Sequence, residues 1–404
     1  MAVSADAWSD RARTAPEKYF PIPSAPVRYN FGQGIPAPEL YPIADLQHYA
    51  VQVLEEGGAE ALGYTSPDGP LELVYGYTGL RRELATWISG RQGRAVSESD
   101  IMLVNGSSQG LALAAQALAG PGDGVVVEAA TFPHALNYLK ATGATVVTAP
   151  LDDDGMDVDA LEKRLHQLYE SGVRPKLVYT IPTFQVPTAT CMPVGRRERL
   201  LELAHEWDLY IIEDNCYYEV RYEGADVPTL YGLDRSGRVV QSDSFSKVLA
   251  PALRAGWIVA DPVIMEALAR VRQDLQGSQW IARIVAAYMR DGKLQPQIEA
   301  VRAGNRRKRD VADAALQRHC APWVRYRKPA GGLYFWLELS SEVDCSKVGP
   351  AAEERGIACR AGETYTDDDS GRRFLRIAYL HESEEQIQWG IAALGEVLAA
   401  CATS

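Results

Sequence analysis

Between residues 101 and 260, short runs of β-branched and aliphatic residues alternate with segments of helical periodicity, and this alternation limits the chain to few architectures. The runs fall at 101–104, 124–127, 177–181, 209–212, 239–241 and 255–260. Each is too short for a helix and apolar enough for a strand buried on both faces. Between them, 157–169 and 194–207 carry apolar residues at helical spacing, with Leu200, Leu201, Leu203 and Ala204 on one side of the second. Strands alternating with helices imply an α/β fold whose mostly parallel sheet lies between helix layers. From about residue 304 the pattern changes to a long charged helix, then a hairpin turning at Gly331-Gly332, a strand at 374–379 and a terminal helix. We therefore expect three parts. Residues 1–50 pack beside a smaller α+β domain at 305–404, and 51–304 form the large domain.

The 404 residues are 47% hydrophobic and 23% charged, enough for a large core. No apolar run reaches the roughly eighteen residues of a membrane span. Asp6, Asp10, Arg11, Arg13 and Glu17 depart from the basic-then-apolar layout of a signal peptide, so a cytoplasmic location is expected. A net charge of -12 disfavours nucleic acid, whose binding depends on basic side chains. The six cysteines form no CxxC pair and the histidines are isolated, so reduced thiols and no metal site are expected.

Lys247 carries the strongest chemical signal. It stands in Ser244-Phe245-Ser246-Lys247, with Arg254 seven residues on. A lysine that attacks an aldehyde needs a partly deprotonated amine, which nearby positive charge and burial favour. Ser244, Ser246 and Arg254 suit a phosphate monoester, the hydroxyls as hydrogen-bond partners and the guanidinium as a fork. Lysine and phosphate grip together suggest pyridoxal phosphate. Gly106-Ser107-Ser108-Gln109 opens a helix after a strand, where free N–H groups meet an anion; an ordinary serine cap gives the same pattern. Asp214 ends a strand and is able to keep a pyridine nitrogen protonated, with Tyr217 three residues on. Phe132 reads either as a stacking ring or as core.

In this order the segments resemble the fold-type I pyridoxal-phosphate aminotransferases of class I/II, of the 2-aminoadipate aminotransferase type and the aminotransferase-like domain of MocR regulators. The resemblance runs from Phe31-Gly32-Gln33-Gly34-Ile35-Pro36 to Arg376. It implies an aspartate aminotransferase-like fold with a seven-stranded sheet. It further implies that Lys247 bonds the cofactor and shuttles a proton, Asp214 pairs with the pyridinium, Tyr217 donates to the phenolic oxygen and Phe132 stacks on the ring. Ser107, Ser108, Gln109, Ser244, Ser246 and Arg254 would hold the phosphate end, and Arg376, Gly34 and Val186 would meet the amino-acid substrate. Tyr64 would reach the cofactor of a second subunit, which implies a homodimer with shared sites.

Two departures stand out. The family's Asn-Pro-Thr-Gly reads Val186-Pro187-Thr188-Ala189 here, so an amide donor to the phenolic oxygen is missing. The cofactor-bound nitrogen is then expected to stay protonated to higher pH than usual, unless Gln185, Tyr217 or a water replaces the amide. About seven extra residues at 70–76 contribute Leu71, Leu73, Val74 and Tyr75 either to a substrate pocket or to a subunit interface. The leading expectation is transamination between an amino acid and a 2-oxo acid. The alternatives are a lyase, substitution, cyclisation or oxidation reaction on the same scaffold, and, more remotely, a cofactor-sensing domain.

Overall fold

The computed structural model describes residues 26–66, 69 and 71–402. The acidic and basic residues noted before position 20, and Pro70 of the extra segment, lie outside these. Residues Tyr29–Asn30 form β1. The central sheet follows with β2 (Ile101–Asn105), β3 (Asp123–Glu128) and β4 (Thr145–Ala149). A small hairpin, β5 (Leu151–Asp152) and β6 (Gly155–Met156), separates these from β7 (Arg174–Thr180), β8 (Tyr210–Asp214), β9 (Val239–Ser244) and β10 (Ala255–Val259).

The sheet has seven strands in the order β2-β10-β9-β8-β7-β3-β4. All neighbours pair parallel except β10, which runs antiparallel to β2 and β9. Val125, Val126, Val127, Leu177 and Val178 are wholly buried because helices cover both faces. The sequence reading found six of these strands. The seventh, Thr145–Ala149, is a half-buried edge strand whose Thr-Val-Val-Thr run was its signal. Helix Val158–Glu170 is capped by Asp157, whose carboxylate accepts from the Asp159 and Ala160 N–H groups.

The C-terminal part holds a four-stranded sheet in the order β11 (Val324–Arg325), β12 (Tyr334–Leu339), β15 (Phe374–Ala378) and β14 (Arg360–Ala361). Its long helix runs unbroken over Leu294–His319, so the boundary expected at 304/305 falls inside one element. Leu294, Ile298 and Val301 bury its first turns; the charged pattern marked only the later part. The described residues before position 50 divide between two neighbours. β1 pairs in parallel with β13 (Ile357–Ala358), whereas helix Ile43–Gly57 packs on helix Gln279–Arg290, with Tyr49 edge-on to Tyr288. At Gly331 a Cβ would overlap the Phe184 ring, and Gly332 has φ 77°, so this glycine pair lets the hairpin dock on the loop after β7.

The extra segment forms the short helix Glu72–Tyr75. Buried Glu72 accepts from the Ser66 and Thr78 N–H groups, both at 2.8 Å, and from Gln279 Nε2 at 3.1 Å. Burial alone would raise its pKa, but these hydrogen bonds outweigh it and hold the carboxyl below its ordinary value. No helix among the described residues is long and apolar enough to cross a membrane.

Candidate functional site

The parallel strands end on one rim of the sheet, where open α/β sheets present their chemistry. Antiparallel β10 begins on that rim, because Ala255 pairs with Asn105 at the end of β2. The loops after β2, β3, β7, β8 and β9 and the turn before β10 thus surround a cavity of about 300 Å³. Segments far apart in sequence meet there because the strand order brings them together.

One end of the cavity is built for an anion. Ser107 and Ser108 open helix Ser107–Leu118, and Gly106 before them offers no side-chain cap. Gly106 has φ 78°, and a Cβ on it would overlap the Arg254 guanidinium, so glycine is required twice over. Arg254 donates to the Asn105 carbonyl at 2.7 Å, while Ser244 and Ser246 line the same end from the turn after β9. Gln109 does not join them. Its carbonyl oxygen accepts from Asn105 N–H at 2.6 Å and its amide donates to Asp274 at 2.7 Å, so its side chain is committed outside the cavity lining.

Asp214, the last residue of β8, is 3% exposed. Tyr179 donates to its Oδ2 at 3.1 Å and Cys216 N–H to its Oδ1 at 3.4 Å, and no ion pair to it occurs among the described residues. Burial raises its pKa, against the lowering effect of Cys216, Tyr179 and Lys247. A buried carboxylate so placed calls for a cation. Lys247 Nζ donates to the Gly34 carbonyl at 2.8 Å and lies 5.8 Å from the Tyr217 ring centre. Having no side chain, Gly34 makes room for Tyr334, since a Cβ would overlap the Tyr334 hydroxyl.

The far end belongs to the C-terminal four-stranded sheet. Arg376, on β15, stacks over Tyr334 at 4.4 Å and Tyr365 at 5.5 Å, and its Nη2 donates to the Gly32 carbonyl. Its buried Nε has no hydrogen-bond partner among the described residues. Arg360 pairs with it across the sheet and donates to the same carbonyl at 3.2 Å. The Arg376 guanidinium lines the cavity and suits a carboxylate there.

Phe132 and Val186 line the walls. Gln185 faces away: its amide donates to Glu128 at 2.9 Å and to the Ala130 carbonyl at 2.6 Å. It therefore does not replace the amide missing at position 186. Tyr64 lies outside the cavity and is 74% exposed. Leu71, Leu73, Val74 and Tyr75 do not line the cavity either. In the Asp367-Asp368-Asp369 run, Asp367 pairs with Lys140 at 2.6 Å. Sequence reasoning missed Tyr179 and Tyr334; for Tyr179 the signal was a hydroxyl inside the apolar run of β7.

The arrangement offers an amine, a buried carboxylate and anion grips at opposite ends of one cavity. Residues 71–394 match the family model of aminotransferase class I and II. The chain is 37% identical over 367 residues to aromatic-amino-acid aminotransferase 1 of Thermococcus litoralis, covering 90% of this chain and 86% of that one. It is 32% identical over 374 residues to 2-aminoadipate transaminase of Thermus thermophilus, covering 91% and 89%. Among solved structures, the Pyrococcus horikoshii kynurenine aminotransferase in complex with PMP superposes with a TM-score of 0.90 at 31% identity, over 99% of this chain and 98% of that one. With the rim, the lysine and both anion grips in place, the chain belongs to the aminotransferase class I and II family, whose members are pyridoxal-phosphate-dependent transferases.

Proposed function

We propose that this cavity moves the amino group of an aromatic α-amino acid to a 2-oxo acid, with pyridoxal phosphate attached at Lys247. The observation that carries the reading is the joint presence of Lys247, Asp214 and Arg376 in one cavity lining. The residues fit the cofactor. Asp214 makes no ion pair among the described residues, and Gly106, where a Cβ would collide with the Arg254 guanidinium, lets Arg254 sit beside Ser107 and Ser108 in the cavity lining. Bound there, the cofactor supplies an aldehyde carbon and an electron-withdrawing ring for the electron pair left when the amino acid loses its Cα proton.

The chain's own residues do the rest. Ser107, Ser108, Ser244, Ser246 and Arg254 hold the phosphate, and Asp214 keeps a proton on the ring nitrogen. Lys247 Nζ takes and returns the Cα proton. Arg376 grips the α-carboxylate and so aims the Cα hydrogen at Lys247. Phe132 would pack against the ring, and Val186 would present an apolar side chain where the family's amide meets the phenolic oxygen. Aromatic walls at Tyr334, Tyr365 and Phe132 support a flat donor side chain, as do relatives named for aromatic amino acids and kynurenine. A second copy completes the site: Ile43, Val51, Leu54, Leu62, Tyr64 and Leu71 are large apolar side chains exposed within one short stretch.

The test is a donor panel with one 2-oxo acid as acceptor. Phenylalanine, tyrosine or kynurenine should exceed aspartate and lysine by about tenfold or more in kcat/KM. Preference for an acidic donor would refute the assignment of the donor.

A further inference from the structure

Position 186 supplies no donor to the cavity and the Gln185 amide is committed elsewhere, yet one polar pair in the lining has no place in the roles above. The Tyr217 and Tyr334 hydroxyls lie 3.2 Å apart, both buried. Each phenol carries one proton, and the contact uses one of the two. If Tyr217 donates to Tyr334, it has nothing left to donate. If Tyr334 donates, the Tyr217 proton remains available to an oxygen beside Lys247.

One observation favours the second arrangement, and two more are compatible with it. Arg376 lies over the Tyr334 ring at 4.4 Å, nearer than the 5.8 Å between Lys247 Nζ and the Tyr217 ring centre, so the stronger pull on electron density acts on Tyr334. Among the described residues neither hydroxyl makes a hydrogen bond to any other group. Gly34 leaves open the space that the Tyr334 oxygen fills. The titratable groups facing Tyr217 are Lys247, Asp214, Cys216 and Tyr334, and those facing Tyr334 are Arg376 and Tyr365 as well.

We propose that Tyr334 is a positioning residue: by donating to Tyr217 it turns the Tyr217 proton into the cavity, where it serves the cofactor's phenolic oxygen in place of the amide missing at Val186. This rests on the cofactor reading above. A donor polarised by a second donor is strengthened, so the pair offsets the loss at position 186. The higher titration midpoint expected from Val186 is then unmasked when either hydroxyl of the pair is removed.

The test uses the cofactor-loaded full chain and the pH titration of its visible absorbance band. Tyr334→Phe keeps the ring beneath Arg376 and removes only the oxygen. Its midpoint should rise by about 0.5 to 1 unit, the scale of one lost hydrogen bond. Tyr217→Phe should rise at least as far, and the double variant no further than Tyr217→Phe alone, because the two act in series. A Tyr334→Phe midpoint equal to wild type, or additive shifts in the double variant, overturns the proposal. So does a variant whose only change is a higher KM for the amino acid, since that marks Tyr334 as support for Arg376. A wild-type protein with no visible band after incubation with pyridoxal phosphate instead refutes the cofactor reading, and this proposal with it.

Discussion

At the scale of the residue, Glu128 shows how the walls of the site are held. Its carboxylate accepts from Thr180 at 2.7 Å, Ile181 N–H at 3.0 Å, Gln185 at 2.9 Å and Thr131 at 3.2 Å, which ties the Phe132 loop to the Val186 loop. Burial nevertheless raises its pKa from 4.5 to about 7, against those hydrogen bonds. Between these values the folded protein holds a proton that the unfolded chain has released, so stability falls as pH rises through this window and levels off above it. Glu128→Gln should flatten that slope by up to about 3 kcal/mol, read from urea unfolding at pH 5 and pH 8. An unchanged slope would show that the carboxyl ionises normally. Lys247, Arg254 and Asp214 were legible because each stands in a short motif at the end of an apolar run. Tyr334 was not, since its partner Tyr217 is 117 positions away and only the fold joins them.

Among the elements, the extra residues before Thr78 do structural work that their apolar side chains did not announce. Those side chains suggested a pocket wall or an interface. The finding is a buried carboxylate, Glu72, that closes the loop from Ser66 to Thr78 and takes the Gln279 amide, which also donates to the Tyr64 carbonyl at 3.1 Å. Glu72→Ala leaves two half-buried N–H groups without their acceptor, so a loss of about 1–3 kcal/mol is expected in chemical denaturation. A loss below about 0.5 kcal/mol would mean that water replaces the carboxylate. The strand runs were legible because strands buried on both faces read as continuous apolar blocks. The edge strand Thr145–Ala149 and the first turns of helix Leu294–His319 were obscured, one by half exposure and the other by Pro296 and sparse apolar residues.

For the whole molecule, the α/β class followed from the alternation alone, while the closing of five rim connections around one cavity required the strand order. A single copy also leaves a face unexplained. Leu62 and Tyr64 are 69% and 74% exposed, beside Val51 and Leu54, a cluster of apolar surface that a second copy would cover. The wild-type protein should sediment at twice the 44.3 kDa of its chain, and Leu62→Asp should shift it towards the monomer while weakening cofactor retention. A wild-type monomer with full activity would contradict the shared site.

The central claim is that Lys247 holds pyridoxal phosphate for transamination, and its most direct test is the absorbance spectrum of the loaded protein as an aromatic amino acid is added without any 2-oxo acid. The account predicts a visible band in the wild type that gives way to a near-ultraviolet band as one equivalent of 2-oxo acid appears, with Lys247→Ala slower by on the order of a thousandfold. A visible band that returns unchanged with another product, or a Lys247→Ala protein that behaves as wild type, would contradict it.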